Sequence, residues 1–494
     1  MAIPKILGTE TEYGITVRHN EASDPVSNSI LIVNSYQGGQ TVKIIWDYEQ
    51  EDPFVDARGF KIDRKVDIPR GRENMTINKI LDNGARFYVD HAHPEFSTPE
   101  CSNARDVVIY EKAGEQILHQ SLLNANMVLP EKQQMIVYKN NTDHKGNSYG
   151  YHENYLLDRK VPFELLCEHL TTFLVTRQIF TGAGKVGAEN NTASVPFQIS
   201  QRADFFETEI GLDTMLKRPI INTRDEPHAD KDKYRRLHII IGDVNMSEYA
   251  TYLKLGITAI VLSMIEDKFI DKNLKLQHPV AAMRLVSRDT RCSKPLQMEN
   301  GKRFTVVEIQ QEFWECAKRY VATQPPDPMT EDILAKWEYV LKGLKQDPKQ
   351  LNRELDWVIK EYLITNYLEK HNCGWDDPRI AMLDLQYHDI RPHKSLYYLL
   401  QRQNQVERLL SDDEIMHAMT NPPCDTRAYF RGQCLKKYRS QIFGVSWGAI
   451  SFDIGEPAIK RILMPEPAKG SQKYVQELLE KSETVEELLT NMTS

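Results

Sequence analysis

Two predicted strands carry charged side chains at alternate positions, and this pattern constrains the fold more than any other feature of the sequence. Successive side chains of a strand point to opposite faces of its sheet. A strand near the N-terminus therefore places Glu10 and Glu12 on one face. A second strand places Arg86, Tyr88 and Asp90 on one face, with apolar residues between them. The pattern predicts a sheet with one polar face and one face packed in the core.

These two strand faces allow two interpretations. One is a solvated sheet face, since half-buried sheets alternate in this way. The other is a metal site, because carboxylates are unfavourable in strands and repel each other unless a cation lies between them. Magnesium prefers carboxylate and water oxygens and commonly takes substrate phosphate as a further ligand. Two acidic faces therefore point to a site for magnesium and nucleotide phosphate.

Strands and helices alternate irregularly along the chain, which is typical of an α+β protein and not of a doubly wound parallel sheet. Hydrophobic periodicity predicts helices, in order, over residues 105–124, 162–180, much of 305–420, and 472–492. It predicts further strands over residues 134–140, 195–200 and 236–246. Residues 40–83 are mixed in charge and interrupted by proline and glycine, so we interpret about 40–80 as a long insertion, mobile in part.

The length of 494 residues allows two domains. The composition changes at residues 421–432, and we expect a catalytic domain over 1–425 and a small C-terminal domain over 426–494. The segment GAGKVG at 182–187 fits a dinucleotide-binding pattern in spacing only, because a helix and not a strand precedes it. We interpret it as a flexible turn near a site.

Charge and cysteine usage exclude several classes of protein. A formal charge of −8 gives no basic field, so binding to nucleic acid or an anionic membrane is not favoured. Seven cysteines without a CxxC pair suggest reduced thiols, and the polar N-terminus contains no signal-peptide core. No HExxH motif is present, which argues against a zinc protease. We therefore expect a cytoplasmic protein.

Seven segments in order along the chain carry a more specific signal: GTETEYGI, RFYVDHAHPEFSTPEC, YGYHENYL, QISQRADFFE, INTRDEPHADKDKYRRLHIIIGDVNM, LDLQYHDI and NPPCDTRAYFRG. Together they resemble the family of enzymes that attach and remove the prokaryotic ubiquitin-like protein Pup. That family is similar to the carboxylate-amine ligases of the glutamine synthetase type. The resemblance implies a large domain with a curved, mainly antiparallel sheet packed by helices, and a small C-terminal domain.

The resemblance also implies roles for individual residues. Asp90 is the expected catalytic residue, with Arg202 as a contact to phosphate or the Pup tail. His152 is expected to contact phosphate or to support the metal ligands. The expected metal residues are Glu10, Tyr88 and Glu95, followed by Glu12, His238 and Glu153. The expected ATP contacts are Arg86, Thr98 and Trp447. Arg427 and Arg431 are added as cofactor contacts, because a guanidinium offers paired donors to phosphate or carboxylate.

The implied activity is hydrolysis of amides at a terminal side-chain carboxyl group of Pup. The enzyme would deamidate the C-terminal glutamine of Pup and cleave the isopeptide bond that joins Pup to lysine, with ATP, or ADP plus phosphate, and Mg²⁺ as cofactors. Asp90 would act as nucleophile or as base. The segment WDYEQEDPFVDARGF at 46–60 resembles the loop that marks this branch. The alternatives are the Pup ligase, which consumes ATP, and a noncatalytic Pup-binding adaptor.

The expected partners follow from the same resemblance. They are Pup, pupylated proteins and the proteasomal ATPase ring that recruits them. We expect the protein to act as a monomer, without nucleic acid or membrane.

Overall fold

A computed structural model of the protein describes residues 1–20, 23–38, 44–64, 68–455 and 459–492. These residues form twenty strands: β1 (Leu7–Glu12), β2 (Gly14–Arg18), β3 (Ile45–Trp46), β4 (Val55–Asp56), β5 (Phe60–Lys61), β6 (Asn78–Ile80), β7 (Arg86–Asp90), β8 (His93–Ser97), β9 (Gln134–Tyr138), β10 (Tyr151–Asp158), β11 (Lys185–Val186), β12 (Phe197–Gln198), β13 (Phe206–Gly211), β14 (Arg218–Asn222), β15 (Tyr234–Ile239), β16 (Pro295–Gln297), β17 (Arg303–Thr305), β18 (Ile442–Val445), β19 (Ala449–Phe452) and β20 (Lys460–Leu463).

The same described ranges form sixteen α-helices: α1 (Pro25–Ser35), α2 (Gly71–Ile77), α3 (Ala104–Val128), α4 (Phe163–Thr176), α5 (Gln178–Thr181), α6 (Glu248–Glu266), α7 (Pro279–Ser287), α8 (Val306–Val321), α9 (Pro328–Gln346), α10 (Asp356–His371), α11 (Pro378–Tyr387), α12 (Leu396–Arg402), α13 (Asp412–Ala418), α14 (Arg427–Lys437), α15 (Gln472–Glu480) and α16 (Val485–Asn491). The α+β prediction is confirmed.

A six-stranded sheet in the order β15-β10-β1-β8-β7-β6 positions the site, and all its neighbouring strands are antiparallel. Helices α3 and α6 pack against one face of this sheet. Phe87, Phe96 and Tyr155 point into that core and are almost completely buried. Because side chains alternate along each strand, the polar residues between these positions lie together on the other face.

Helix α6 is long and apolar enough to cross a membrane by length and composition. However, 89% of its most apolar 18-residue stretch is buried inside the protein, as expected for a core helix. The mostly helical region that the sequence predicts over 305–420 contains α8 to α13.

Several predicted boundaries are wrong. The strand expected over 236–246 ends at Ile239. The helix expected over 162–180 is divided at Arg177, and Pro162 is its N-cap instead of its first helical residue. The helix expected over 472–492 is two helices, because Thr484 caps a new helix through a reciprocal pair of hydrogen bonds with Glu487.

The segment at 182–187 is largely buried and contains one strand of a hairpin, instead of a flexible turn. Strand β11 pairs with β12, and Gly184 and Gly187 take positive φ angles of 72° and 77° at its ends. Lys185 is buried, and its ammonium group lies 3.1 Å from the Asp204 carboxylate. The next element after these glycines is strand β12, whereas a dinucleotide-binding loop requires a helix there.

The C-terminal residues pack around a second hydrophobic core, which contains Phe430, Ile450 and Phe452. Its sheet has the order β20-β19-β18-β3, so one strand comes from the predicted insertion. Strand β3 pairs in parallel with β18. The boundary between residues 425 and 426 stays a prediction.

Within the predicted insertion, residues 40–43 and 65–67 lie outside the described residues. The described part contains β3, β4, β5, α2 and β6. The backbone of this segment forms hydrogen bonds with the residues that follow β14. The Ala57 N–H donates to the Thr223 carbonyl at 2.7 Å, and the Asp225 N–H donates to the Val55 carbonyl at 3.0 Å.

Candidate active site

The polar face of the six-stranded sheet gathers most of the predicted site residues. Strand register places Glu10 opposite both His152 and Ser97, and Glu12 opposite Glu95. Residues that are paired directly across antiparallel strands lie on the same face. The face carries, from β15 to β6, Arg236, His238, His152, Asn154, Glu10, Glu12, Glu95, Ser97, Arg86, Tyr88, Asp90 and Asn78.

Three carboxylates converge at one end of this face. Ligand atoms of Glu12, Asp90 and Glu95 all lie within 4.8 Å of one another. Burial, together with the negative charges of Asp90 and Glu12, raises the pKa of Glu95 well above its ordinary value. Burial and the charge of Glu95 likewise raise the pKa of the nearby Tyr88 phenol. Such crowding of negative charge is relieved by a cation, so this group fits a hard divalent metal.

A second group on the same face combines one carboxylate with two imidazoles. Ligand atoms of Glu10, His152 and His238 lie within 4.8 Å of one another. The Nδ1 of His152 is 3.1 Å from the Glu10 carboxylate. Although burial raises the pKa of Glu10, the His152 hydrogen bond and the positive charge of Arg236 lower it well below its ordinary value. Glu10 is therefore ionised at neutral pH.

His238 is available as a ligand. Burial, assisted by the positive charge of Arg236, lowers the pKa of His238 well below its ordinary value, so the ring is neutral. Its Nε2 atom is buried and has no hydrogen-bond partner among the described residues. A buried polar atom without a partner costs free energy unless a ligand satisfies it.

Asp90 ends β7 at a two-residue turn, where its carboxylate is 39% exposed. His91 begins the turn with a positive φ of 51° and lies with Nδ1 3.0 Å from the Asp90 carboxylate. Burial raises the pKa of Asp90, but the hydrogen bond and charge of His91 outweigh this effect and the net pKa is lowered. The same pair raises the pKa of His91 to about 8. Asp90 is thus an accessible anion next to the carboxylates of Glu12 and Glu95.

Arg86 lies in an aromatic cage. Its guanidinium is 4.2 Å from the Trp46 ring centroid and 3.9 Å from that of Tyr88. Asn78 accepts hydrogen bonds from Arg86 at 2.9 and 2.6 Å, and the Tyr48 hydroxyl accepts another at 3.0 Å. Trp46, Tyr48 and Asn78 were not predicted as site residues, although the first two belong to the WDYEQEDPFVDARGF segment.

Trp447 closes one side of this cage from the C-terminal sheet. Its ring meets Trp46 edge to face, with 5.1 Å between the centroids. Arg431 stacks on the other side of Trp447 at 5.1 Å and donates to its carbonyl at 3.0 Å. The predicted ATP contacts Arg86 and Trp447 are therefore brought into one aromatic pocket.

Arg427 and Arg431 themselves are engaged elsewhere. Both bind the Glu100 carboxylate, and Arg427 also donates to the carbonyls of Met464 and His228. Against the effect of burial, the two guanidinium groups lower the pKa of Glu100 to about 2. The structure thus places these arginines in a clamp between the large sheet and the C-terminal residues, not on the polar face.

Two further predicted residues are also placed away from the polar face. Glu153 points to the helix-packed side of β10 and is completely buried, with Arg177 donating to both of its carboxylate oxygens at 2.5 and 2.9 Å. The Thr98 hydroxyl accepts from the Thr9 backbone N–H at 2.9 Å and is also buried. The structure therefore does not bring Glu153 to the metal groups.

Arg202 lies behind the carboxylate group and is buried. It donates to the Ile240 carbonyl, and its Nε lies 3.2 Å from the Ser148 hydroxyl. Burial and the nearby charge of Arg218 lower the pKa of Arg202 to about 9, and Glu12 opposes this shift. Arg202 therefore stays cationic at neutral pH and supplies positive charge near Glu12.

Comparisons with known proteins find relatives that match almost the whole chain. The sequence pattern of the Pup-ligase protein family matches residues 5–451. The depupylase of Acidothermus cellulolyticus is 46% identical over 99% of both chains, and the Pup deamidase/depupylase of Mycolicibacterium smegmatis is 42% identical over 99% of this chain and all of that protein. The Pup–protein ligase of Kineococcus radiotolerans is 40% identical over 84% of this chain and 92% of its own length.

Two solved structures have the same fold. The complex of Pup with its ligase PafA superposes with a TM-score of 0.81 at 33% identity, covering 97% of this chain and 92% of the ligase chain. PafA in complex with ADP superposes with a TM-score of 0.74 at 36% identity, covering 82% and 89%.

Proposed function

The chain belongs to the Pup-ligase protein family, and from this membership we propose that it hydrolyses amide bonds formed by Pup. It is a hydrolase that deamidates the C-terminal glutamine of Pup and cleaves the isopeptide bond between Pup and lysine. Full-length similarity to depupylases carries this conclusion, since the ligase of Kineococcus radiotolerans matches only 84% of the chain. The ligase activity remains the alternative, as a related member of the family.

The position of Asp90 supports a direct part in the reaction. Its carboxylate is ionised, partly exposed and adjacent to Glu12 and Glu95. As a nucleophile it would attack the amide carbonyl, release the amine and leave an anhydride for water to hydrolyse. As a base it would take a proton from the attacking water. Label recovered in Asp90 after a single turnover in water enriched in oxygen-18 would identify the nucleophile, because only hydrolysis of the anhydride places a water oxygen on that carboxylate.

The enzyme uses a nucleotide, as does the ADP-bound ligase that shares its fold. We propose that Arg86 and Trp447 contact it, since they form one aromatic pocket. Amide hydrolysis does not need ATP as an energy source, so the nucleotide serves as a cofactor.

We propose Mg²⁺ as the second cofactor. The crowded carboxylates of Glu12, Asp90 and Glu95 and the unpartnered Nε2 of His238 fit a site for divalent cations. Glu10 and Glu95 would hold the metal, with Tyr88 beside them. When bound, the cation would supply positive charge for the oxyanion that develops on the amide, and the nucleotide phosphate would serve as a further ligand that orients this cation. Arg202 adds a fixed cation behind this group.

Pup is a substrate and binding partner of this enzyme. We propose that it acts as a cytoplasmic monomer on pupylated proteins that the proteasomal ATPase ring recruits. The absence of an overall basic charge supports a protein substrate over nucleic acid.

One experiment tests the proposed activity. The protein is mixed with glutamine-ended Pup and separately with a pupylated protein, with and without magnesium ATP, and the products are weighed by mass spectrometry. We expect glutamate-ended Pup with ammonia in the first mixture and free Pup with the unmodified protein in the second. New conjugates with stoichiometric ADP would instead identify a ligase, and no product in either mixture would indicate an adaptor.

A further inference from the structure

The side-chain amide of Asn154 links Glu10, Arg236 and His238. Asn154 lies on β10 directly opposite His238 on β15. Its amide nitrogen is 3.0 Å from the Glu10 carboxylate. Its amide oxygen is 2.7 Å from the Nη1 of Arg236 and 3.0 Å from the Nδ1 of His238.

The orientation of this amide is fixed from both sides. A guanidinium has only donors, so the atom of Asn154 that faces Arg236 must be the oxygen. An ionised carboxylate has only acceptors, so the atom that faces Glu10 must be the nitrogen. Rotating the amide would place a donor against Arg236 and an acceptor against Glu10, and both hydrogen bonds would be lost.

The fixed amide in turn decides the tautomer of His238. The oxygen of Asn154 can only accept, so its 3.0 Å contact to the His238 Nδ1 is a hydrogen bond only if that nitrogen carries the hydrogen. The competing contact from the Arg236 Nη1 donor to the same nitrogen is longer, at 3.4 Å, so the shorter contact favours hydrogen on Nδ1. A neutral imidazole has one N–H, so the lone pair lies on Nε2. That Nε2 is the buried atom without a hydrogen-bond partner among the described residues. The His238 ring belongs to the group with Glu10 and His152.

We propose that Asn154 is a positioning residue that fixes His238 as the Nδ1–H tautomer and so presents its Nε2 lone pair, together with Glu10 and His152, to a divalent cation. The proposal rests on the proposed function in that this cation serves the same reaction. An outer carboxamide that orients both a carboxylate and an imidazole ligand acts as the hydrogen-bonded partners of metal-binding histidines do. A set of two nitrogens and one oxygen accepts Mn²⁺ as well as softer first-row metals.

The first test is the tautomer itself, measured on the full-length, metal-free protein. Histidine labelled with nitrogen-15 is incorporated, and long-range proton–nitrogen correlations separate protonated from bare ring nitrogens. Loss of one signal set in His238→Gln assigns the residue. We expect His238 to be protonated on Nδ1 in the wild-type protein and in Asn154→Asp, which keeps an acceptor there, but to be a mixture in Asn154→Ala. A wild-type His238 protonated on Nε2 overturns the proposal, whether or not any variant folds.

The second test is binding of Mn²⁺ alone, followed by electron paramagnetic resonance without nucleotide or Pup. Asn154→Ala is expected to weaken Mn²⁺ binding roughly 10- to 100-fold. Asn147→Ala is the matched control, because Asn147 is exposed in a loop and its hydrogen bonds among the described residues are to Asp143. Unchanged affinity in Asn154→Ala overturns the proposal, since a purely structural asparagine would leave the metal site intact.

Failure of this proposal and failure of the proposed function give different results. Neither the tautomer nor Mn²⁺ binding requires turnover, so both can be as expected in a protein that does not hydrolyse Pup. Conversely, a wild-type protein that cleaves Pup conjugates but carries the Nε2–H tautomer retains the proposed function and refutes the role of Asn154.

Discussion

Replacing Glu100 by glutamine should destabilise the whole clamp between the large sheet and the C-terminal residues. Its carboxylate binds both Arg427 and Arg431, and only 14% of its side chain is exposed. Glutamine keeps the shape but removes the negative charge. The two buried guanidinium groups would then lose their common counter-ion. Leaving a buried charge without its partner strongly lowers the free energy of unfolding.

The size of the effect follows from the pKa of Glu100, which the two arginines lower from 4.5 to about 2. Because a tenfold change in acidity is worth about 1.4 kcal/mol, this lowering corresponds to roughly 3 kcal/mol of folding free energy. We therefore expect Glu100→Gln to lose roughly 3 kcal/mol of unfolding free energy at pH 7.

The pH dependence has a definite sign. A carboxyl group whose pKa is lowered by folding contributes its full stabilisation above its unfolded pKa and loses it as the pH falls through the folded value. The difference between wild type and Glu100→Gln should therefore be largest above pH 4.5 and narrow towards pH 2.

Urea unfolding followed by circular dichroism measures this difference between pH 7 and pH 3. Glu477→Gln serves as the control, because Glu477 pairs with Lys481 on the surface, where ion pairs contribute little. An unfolding free energy of Glu100→Gln equal to that of wild type at pH 7 would refute the reasoning, as would a difference that stays constant down to pH 3. Nucleotide affinity should fall in parallel, because Arg431 also holds Trp447.

Three further substitutions test the site. Asp90→Asn should lower the hydrolysis rate by on the order of a thousandfold or more while nucleotide affinity, measured by calorimetry, stays near wild type; retained turnover would exclude a direct role. Glu10→Ala should weaken magnesium binding roughly 10- to 100-fold, and an unchanged magnesium dependence of the rate would count against Glu10 as a metal residue. Asn78→Leu removes the acceptor of two Arg86 hydrogen bonds, so the nucleotide Kd should rise about tenfold with little change in kcat; wild-type nucleotide affinity would show that Arg86 needs no such support.

Side chains alternate between the two faces of a strand, and this alternation explains why the polar face could be predicted from the sequence. Alternation places Glu10 with Glu12, and Arg86 with Tyr88 and Asp90, before any pairing is known. Only the order of the strands, which joins these faces in one sheet, required the structure. The same rule explains the placement of Glu153: it follows His152 on one strand, so the two side chains must point to opposite faces.

Contacts between distant segments explain what the sequence could not indicate. The sequence does not show whether an arginine binds phosphate or a carboxylate. Glu100, the carboxylate that Arg427 binds, lies more than 300 residues before it in the chain. Trp46 is held by a strand of two residues, which is too short for any periodic signal. The division of the last helix was accessible, because Thr484 and Glu487 have the spacing of a capping box.

The pairing of β3 with β18 has a consequence for synthesis of the chain. Ile45 and Trp46 find their partners Gly444 and Val445 about 400 residues later. The ribosome synthesises the N-terminal part first, so strand β3 with Trp46 can pair only after nearly the whole chain has been made. The aromatic cage around Arg86 is therefore completed late, and a nascent or prematurely terminated chain lacks one wall of its nucleotide pocket. Translation itself thus delays the enzyme from becoming competent until its C-terminal sheet has emerged.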